Sequence, residues 1–235
     1  MTGECISIIV PVYRELDEIN PFIDYLDTLL DVETAELIIV DGDHGGTNNV
    51  IENRARRFAI KKLISSKGRG QQLHAGALQA ACNTFLFLHV DSRPPRSAIR
   101  AVRFALETYS AGAFDLYVAS RSYTVRAIAA IASLRSRISR IPYGDQSHFM
   151  RAETYFSVGG YPMVPIMEDV ALMAKFKDRG IRLTILKQFT KNSDRRWRKE
   201  GPLRSTWRNW YLRLRYALGA DVSHLARLYR PHGEI

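Results

Sequence analysis

The first hundred residues repeat one pattern: a short, almost unbroken apolar run, a stretch with helical spacing, then another apolar run. Ser7–Tyr13 (SIIVPVY), Glu36–Gly42 (ELIIVDG) and Thr84–Asp91 (TFLFLHVD) are such runs, with Lys62–Ser65 a shorter one. A strand that is apolar on both faces has to be covered on both faces, as in a parallel sheet held between two layers of helices. The segments between the runs supply helices. Asp17 to Leu30 sets Ile19, Phe22, Ile23, Leu26, Leu29 and Leu30 on helical spacing, and Thr47–Phe58, Gln71–Ala81 and Ser97–Tyr109 read as three more. This alternation predicts an α/β fold with a Rossmann-like, mostly parallel sheet flanked by helices. Ligands of such folds bind beyond the C-terminal strand ends, where Tyr13, Asp41 and Asp91 fall.

The second half is less regular. Phe114–Ser120 and Arg182–Phe189 read as strands, and Val125–Ile141 as an amphipathic helix with Ile128, Ile131, Leu134 and Ile138 along its apolar side. The stretch YGDQSHFMRAETYFSVGGYP reads as loop. Glu168–Arg179 is a helix with two carboxylates in its first turn and Gly180 just past its end. Pro202–Leu218 and Asp221–Leu228 read as two closing helices. The expected organisation is one α/β domain over residues 1–200 and a helical C-terminal extension over 201–235.

Hydrophobic residues at 46% are ample for a core of this size. No apolar run approaches the roughly 20 residues of a membrane-spanning helix. Met1–Val12 carries no basic leader region, and Pro11 interrupts its apolar run, so it reads as a first strand and not a signal peptide. Cys5 and Cys82 form no metal or redox spacing, and reduced thiols in or near the core are expected. Together these features point to the cytoplasm. The net charge of +10 is uneven: residues 1–50 hold 11 acidic residues and one basic one, whereas 190–235 hold 11 basic and 4 acidic. The acid-rich start argues against a nucleic-acid coat. The basic remainder suits a phosphate-bearing ligand, an anionic acceptor or a membrane surface.

Four places could carry chemistry. Asp41 and Asp91 end strands, where a carboxylate either meets a ribose, base or hard cation or simply caps a loop. Lys67-Gly68-Arg69-Gly70-Gln71-Gln72 enters a helix from a strand; it is either a phosphate cradle with glycines for close backbone approach or a solvent turn. His89 and Asp91 share a side of an alternating strand, and one carboxylate with diphosphate oxygens and waters is a normal Mg²⁺ or Mn²⁺ arrangement. Imidazole is acceptable to manganese, while a hydrogen-bonded core histidine is the plainer reading of His89. Glu168-Asp169 is either dipole compensation at a helix start or a base poised for a hydroxyl.

In order and spacing these pieces resemble glycosyltransferase family 2, with the GT-A fold, over roughly residues 6 to 200. Pro11-Val12-Tyr13-Arg14-Glu15 resembles the opening P-x-x-N-E motif, and Val40-Asp41-Gly42 the V-D-D/G motif whose Asp contacts the nucleotide base. Gly68–Ala77 resembles the helix beneath the donor, and Leu88–Asp91 the D-x-D metal motif. Gly159-Gly160-Tyr161 with Glu168-Asp169 resembles the GG-[FY]…ED module, whose Asp is the catalytic base. HVDSR, YGDQ, IMEDV and RRW resemble a small soluble bacterial subgroup sometimes linked to arsenosugar biosynthesis. Three departures stand out: the Val40–Thr47 loop is one residue short and lacks its Ser, His89 replaces the first acid of D-x-D, and Arg14 replaces Asn. Arg195-Arg196-Trp197 resembles the end of the processive Q-x-x-R-W motif, but Gln188 stands too far away to complete it.

The resemblance implies transfer of a hexosyl-like group, with inversion, from a nucleotide sugar to a hydroxyl acceptor. A UDP-sugar comes first among the candidate donors. Pro11, Tyr13, Glu15, Asp41, Gly68, Arg69 and Arg196 would hold the donor, and Asp91 with His89 the Mg²⁺ or Mn²⁺. Asp169 would act as base beside Glu168, with Asp145, Gln146 and Trp197 lining the acceptor side and Asp145 as the second candidate base. Two rivals are a sugar nucleotidyltransferase, which would need a glycine-rich loop after strand one where PVYRE stands, and a non-catalytic binder of nucleic acid or acidic polymer. The rivals leave unexplained either that loop or the carboxylates at 41, 91 and 169, so no nucleic-acid partner is expected. In the tail, Trp207, Trp210, Tyr211, Leu214 and Leu218 share one helical face with arginines beside it. That face either packs on the core or meets a membrane surface through 202–218, which would make the protein peripheral at the inner face. A dimer contact is the remaining alternative.

Overall fold

In the computed structural model, residues 4–229 are described, apart from the side chains of Arg196 and Lys199. The elements run β1 (Ile6–Val12), α1 (Ile19–Leu26), β2 (Ala35–Asp41), α2 (Gly46–Asn49), β3 (Ala59–Ile64), α3 (Arg69–Leu78), β4 (Thr84–Phe87), β5 (Ser92–Arg93) and α4 (Ala98–Leu106). They continue as β6 (Ala111–Ala119), α5 (Tyr123–Ser139), β7 (His148–Arg151), α6 (Ala152–Ser157), α7 (Glu168–Asp178), β8 (Leu183–Ser193), α8 (Arg195–Glu200), α9 (Pro202–Ala217) and α10 (Val222–Leu228).

Alternation within the apolar runs sorts the core into two layers. In β1 and β2, Ile8, Val10, Leu37 and Ile39 face α1 and α4, where they meet Phe22, Ile23, Ile99 and Val102. Ile9, Ile38 and Val40 face the other way, onto Leu73 and Ala77 of α3. Each large side chain fully buried in this way contributes about 1.5–3 kcal/mol. The eight strands lie in the order β3-β2-β1-β4-β7-β6-β8-β5. β3, β2, β1 and β4 are parallel, with Val12 opposite Asp41 and Asp41 opposite Ile64, so three strand ends come level. β7 joins this half to β6 by antiparallel pairing on both sides, and β6 and β8 pair in parallel.

The structure corrects several expectations. The helix expected over 47–58 is a single turn, α2, and the chain then runs on without regular structure. Arg54, Arg56 and Arg57 instead reach across to Asp24, Asp27 and Glu33, and these long-range pairs hold the segment open. β4 stops at Phe87, so His89 and Asp91 lie in a turn closed by Ser92 N–H donating to the His89 carbonyl at 2.9 Å, and not on one strand face. The expected loop over 143–162 contains β7 and α6. Cys5 and Cys82 are disulfide-bonded, with Cα atoms 5.3 Å apart. Neighbouring parallel strands start at the same sheet edge, which brings together residues 77 apart in sequence. In α5 the side facing the body is Val125, Ala129 and Ser136, so the apolar stripe of Ile131, Leu134 and Ile138 points outward. The extension packs through Leu212 of α9 and Leu225 of α10 onto Ile166, just ahead of α7.

Candidate active site

The level ends of β1 and β2 are tied by Gln72 of α3. Its buried amide donates to the carbonyls of Val12 at 2.7 Å and Val40 at 2.8 Å. Asp41, fully buried, accepts from Asp43 N–H at 2.7 Å and Asn48 N–H at 2.9 Å, so its carboxylate shapes the 43–48 loop. Beside that loop, the Tyr13 ring lies under Lys67 Nζ at 4.4 Å and near Arg14, whose left-handed backbone (φ 55°) turns it toward Asp43. Pro11 stays within β1, opposite Val40. Glu15 faces Arg195 at 3.2 Å, which also holds Glu18. Burial raises the Glu15 carboxyl, and the Arg195 charge opposes that rise.

The second group gathers at the starts of α3 and α7. Gly68 leads in with φ 149°, and Arg69 pairs with the buried Glu168 at 3.2 Å. The Glu168 charge raises the Arg69 guanidinium further, while burial, opposed by Arg69, raises the Glu168 carboxyl. Gly70 permits this approach: a Cβ there would come within 2.3 Å of the Pro162 carbonyl and 3.0 Å of Glu168 Cβ. Gly159 and Gly160 both have positive φ, and a Cβ on Gly160 would strike the Tyr155 ring at 2.6 Å, so the GGY turn lies directly on that ring. Asp169 is half-buried and doubly held, Oδ2 accepting from Gly144 N–H and Oδ1 from Val170 N–H, each at 2.8 Å.

His89 sits across Gly144 from Asp169: a Cβ on Gly144 would lie 3.2 Å from His89 Nε2 and 3.7 Å from Asp169 Oδ2. Burial, with help from the Arg69 and His148 charges, pushes the His89 imidazole down to about 3, so it is neutral at physiological pH. His89, Arg69, Glu168, Asp169 and Tyr161 line one small cavity. Asp91 lines a different space, a cleft of about 1360 Å³ with Arg93, Arg121, Phe189 and Lys191 on its walls. Among the described residues the Asp91 carboxylate makes no hydrogen bond or ion pair. Nor, among those residues, is any cluster of three or more His, Cys, Asp or Glu side chains placed to hold a metal. A cation at Asp91 would therefore complete its shell with diphosphate oxygens and water, as Mg²⁺ commonly does.

The expected acceptor residues separate. Asp145 stays beside the site with a buried Oδ1 that no partner reaches. Burial, then the nearby Asp169 and Asp91 charges, push its carboxyl up to about 6. Gln146, expected on the acceptor side, is instead turned into the core, accepting from Ser136 Oγ and Tyr143 N–H and donating to the Phe114 carbonyl. Trp197 packs against the small cluster of Leu116, Val118, Val125 and Ala129. The Arg196 side chain lies outside the described residues. Sequence reasoning missed the Gly144 N–H and Arg195, and took Gln72 only as part of the 67–72 stretch, without its role of tying β1 to β2. Only Arg195 carried a local signal, as the neighbour of Arg196 in the same motif.

A mostly parallel sheet flanked by helices, with its candidate site at the strand ends, is the architecture of the GT-A glycosyltransferases. The chain belongs to glycosyl transferase family 2, whose model matches residues 7–164. Staphylococcus aureus TarS 1–349, solved with UDP, superposes with a TM-score of 0.64 at 16% identity over 80% of this chain and 60% of that one. The Pyrobaculum calidifontis mannosyltransferase PcManGT, solved with GDP-Man and Mn²⁺, gives 0.64 at 19% identity over 81% and 56%. A third structure, TarS 1–349 with UDP-GlcNAc, gives 0.64 at 16% over 80% and 58%. This chain thus spans less than two thirds of each of these structures, and identities this low speak for the fold. A search of curated proteins finds no match. No helix among the described residues is long and apolar enough to cross a membrane.

Proposed function

We propose that the protein transfers a sugar from a nucleoside-diphosphate sugar to a hydroxyl acceptor with inversion, using Asp169 as general base and Asp91 as the protein ligand of a divalent cation. The observation that carries the reading is Asp169 itself, held at the first turn of α7 by two N–H groups on the same side chain. A carboxylate fixed in this way is pre-positioned for a proton transfer worth about 10²–10⁴ in rate. The acceptor oxygen attacks the anomeric carbon as its proton passes to Asp169. The bond from that carbon to the diphosphate oxygen breaks, and its electron pair leaves with the nucleoside diphosphate. Tyr13, Lys67 and the loop shaped by Asp41 would hold the nucleotide, with Arg69 adding positive charge near the leaving group. Bound Mg²⁺ or Mn²⁺ at Asp91 would supply charge neutralisation for the diphosphate. The ligands named with the similar structures, UDP, UDP-GlcNAc and GDP-Man with Mn²⁺, support a donor of this class and a metal.

The test is thermal stabilisation by UDP, GDP, dTDP and ADP, each with and without Mn²⁺, on wild type, Asp91→Ala and Asp169→Asn. One nucleotide is expected to raise the melting temperature only with metal. Asp91→Ala should abolish that rise, and Asp169→Asn should keep it while losing turnover. No stabilisation by any nucleotide at millimolar concentration would overturn the reading.

A further inference from the structure

Two helices lie against the body the wrong way round for a water-soluble surface. α9 buries Ser205 and Leu212 and tucks Arg208 and Arg213 inward. Its opposite side carries Leu203, Trp207, Trp210, Leu214 and Leu218, all exposed, with Trp207 at 74%. This stripe is continuous over about 22 Å at 1.5 Å per residue. α5 does the same: Val125, Ala129 and Ser136 face inward, while Ile131, Leu134 and Ile138 face solvent, Ile138 at 76%. The helices touch, and Tyr143 clamps them, its ring between Arg135 of α5 at 3.7 Å and Arg213 of α9 at 4.0 Å. Two adjoining helices thus each carry an outward apolar stripe.

The charge around these stripes selects their occupant. Residues 123–140 and 202–218 contain eight arginines and no acidic residue. Arg126, Arg140, Arg204 and Arg215 are exposed. A second copy of this chain would bring like charge against like. A nucleic acid would use the arginines but leave six exposed aliphatic side chains against water. Exposed tryptophans and aliphatics with an arginine flank fit the interface of a lipid bilayer carrying negative headgroups.

We infer that α5 and α9 together form a docking face for an anionic lipid surface. The residue after Tyr143 is Gly144, whose N–H holds Asp169, so the clamp and the base share one turn. A role in presenting a membrane-held acceptor to Asp169 rests on the proposed function; the docking face itself does not.

The full chain is mixed with phosphatidylcholine vesicles and with phosphatidylcholine–phosphatidylglycerol vesicles, without donor, and followed by co-sedimentation and tryptophan emission. Binding to the anionic vesicles, weak binding to neutral ones and a blue-shifted emission are expected. The pairs Trp207→Glu with Leu214→Glu, and Leu134→Glu with Ile138→Glu, change only exposed positions. Each should lower anionic-vesicle binding by about tenfold or more and leave the nucleotide-dependent melting shift intact. That shift also separates a failure of docking from a failure of the transfer reading. No binding by wild type, or unchanged binding by the α5 pair, overturns the inference. So does a wild-type dimer in sedimentation velocity that either pair dissolves, or polyanion binding insensitive to both pairs.

Discussion

Asparagine at position 145 should make the protein more stable at neutral pH. The Asp145 carboxyl is buried, its Oδ1 has no partner, and Asp169 and Asp91 stand near, so ionising it is costly. Its folded value of about 6 lies above the ordinary 3.8. Between those values the folded protein keeps a proton that the unfolded chain has released. Stability therefore falls as pH rises through the window, and the loss is complete above about 6. Each pH unit across it costs about 1.4 kcal/mol, or about 3 kcal/mol in all. An asparagine amide that finds no acceptor returns about 1 kcal/mol of that. The net gain of about 2 kcal/mol corresponds to about 4–8 °C in melting temperature for a chain of this size. Melting curves of wild type and Asp145→Asn from pH 4 to pH 8 should cross between pH 4 and 5, with the variant less stable by about 1 kcal/mol below the crossing and more stable above it. A variant less stable than wild type at pH 8, or a difference independent of pH, would refute the reasoning. Natural chains retain such a cost mainly where a site needs the group.

Other substitutions probe the neighbouring contacts. Gly70→Ala forces a Cβ to 2.3 Å from the Pro162 carbonyl; it should cost about 1–3 kcal/mol of stability and up to about 10² in kcat, read by melting and initial rates. Arg69→Met leaves Glu168 buried without its cation. The Glu168 carboxyl then rises further, so destabilisation of about 1–3 kcal/mol should be larger at pH 8 than at pH 5 in urea titrations. Reducing Cys5–Cys82 opens a link spanning 77 residues and should lower stability by about 4 kcal/mol, with Cys82→Ser matching the reduced protein. His89, lowered to about 3, should show a flat ring-proton chemical shift between pH 5 and 8 by NMR; a titration near 6 would place it in water.

The parallel half of the sheet was legible because its cause is local. Apolar runs at β1, β2 and β4 with helical spacing between them allow one arrangement, and the carboxylates at 41, 91 and 169 follow from motif order. β7 was not legible: four residues, HFMR, become a strand only because β4 and β6 stand on either side to receive their hydrogen bonds. The segment after α2 read as helical, yet in the fold its arginines reach Asp24, Asp27 and Glu33, partners far away in sequence that local spacing does not reveal.

Sequence alone determined the fold class, the family motifs and the residues at the strand ends, since each depends on spacing along the chain. Tertiary structure alone decided how those residues are used. Asp41 became the organiser of its loop and Gln146 a core amide, His89 and Asp91 parted into separate cavities, and Arg195 took the place beside Glu15. It also decided which side of α5 meets water, because periodicity gives a helix an apolar face but not the direction in which that face points. Only the packing of Val125, Ala129 and Ser136 against the body turns Ile131, Leu134 and Ile138 outward.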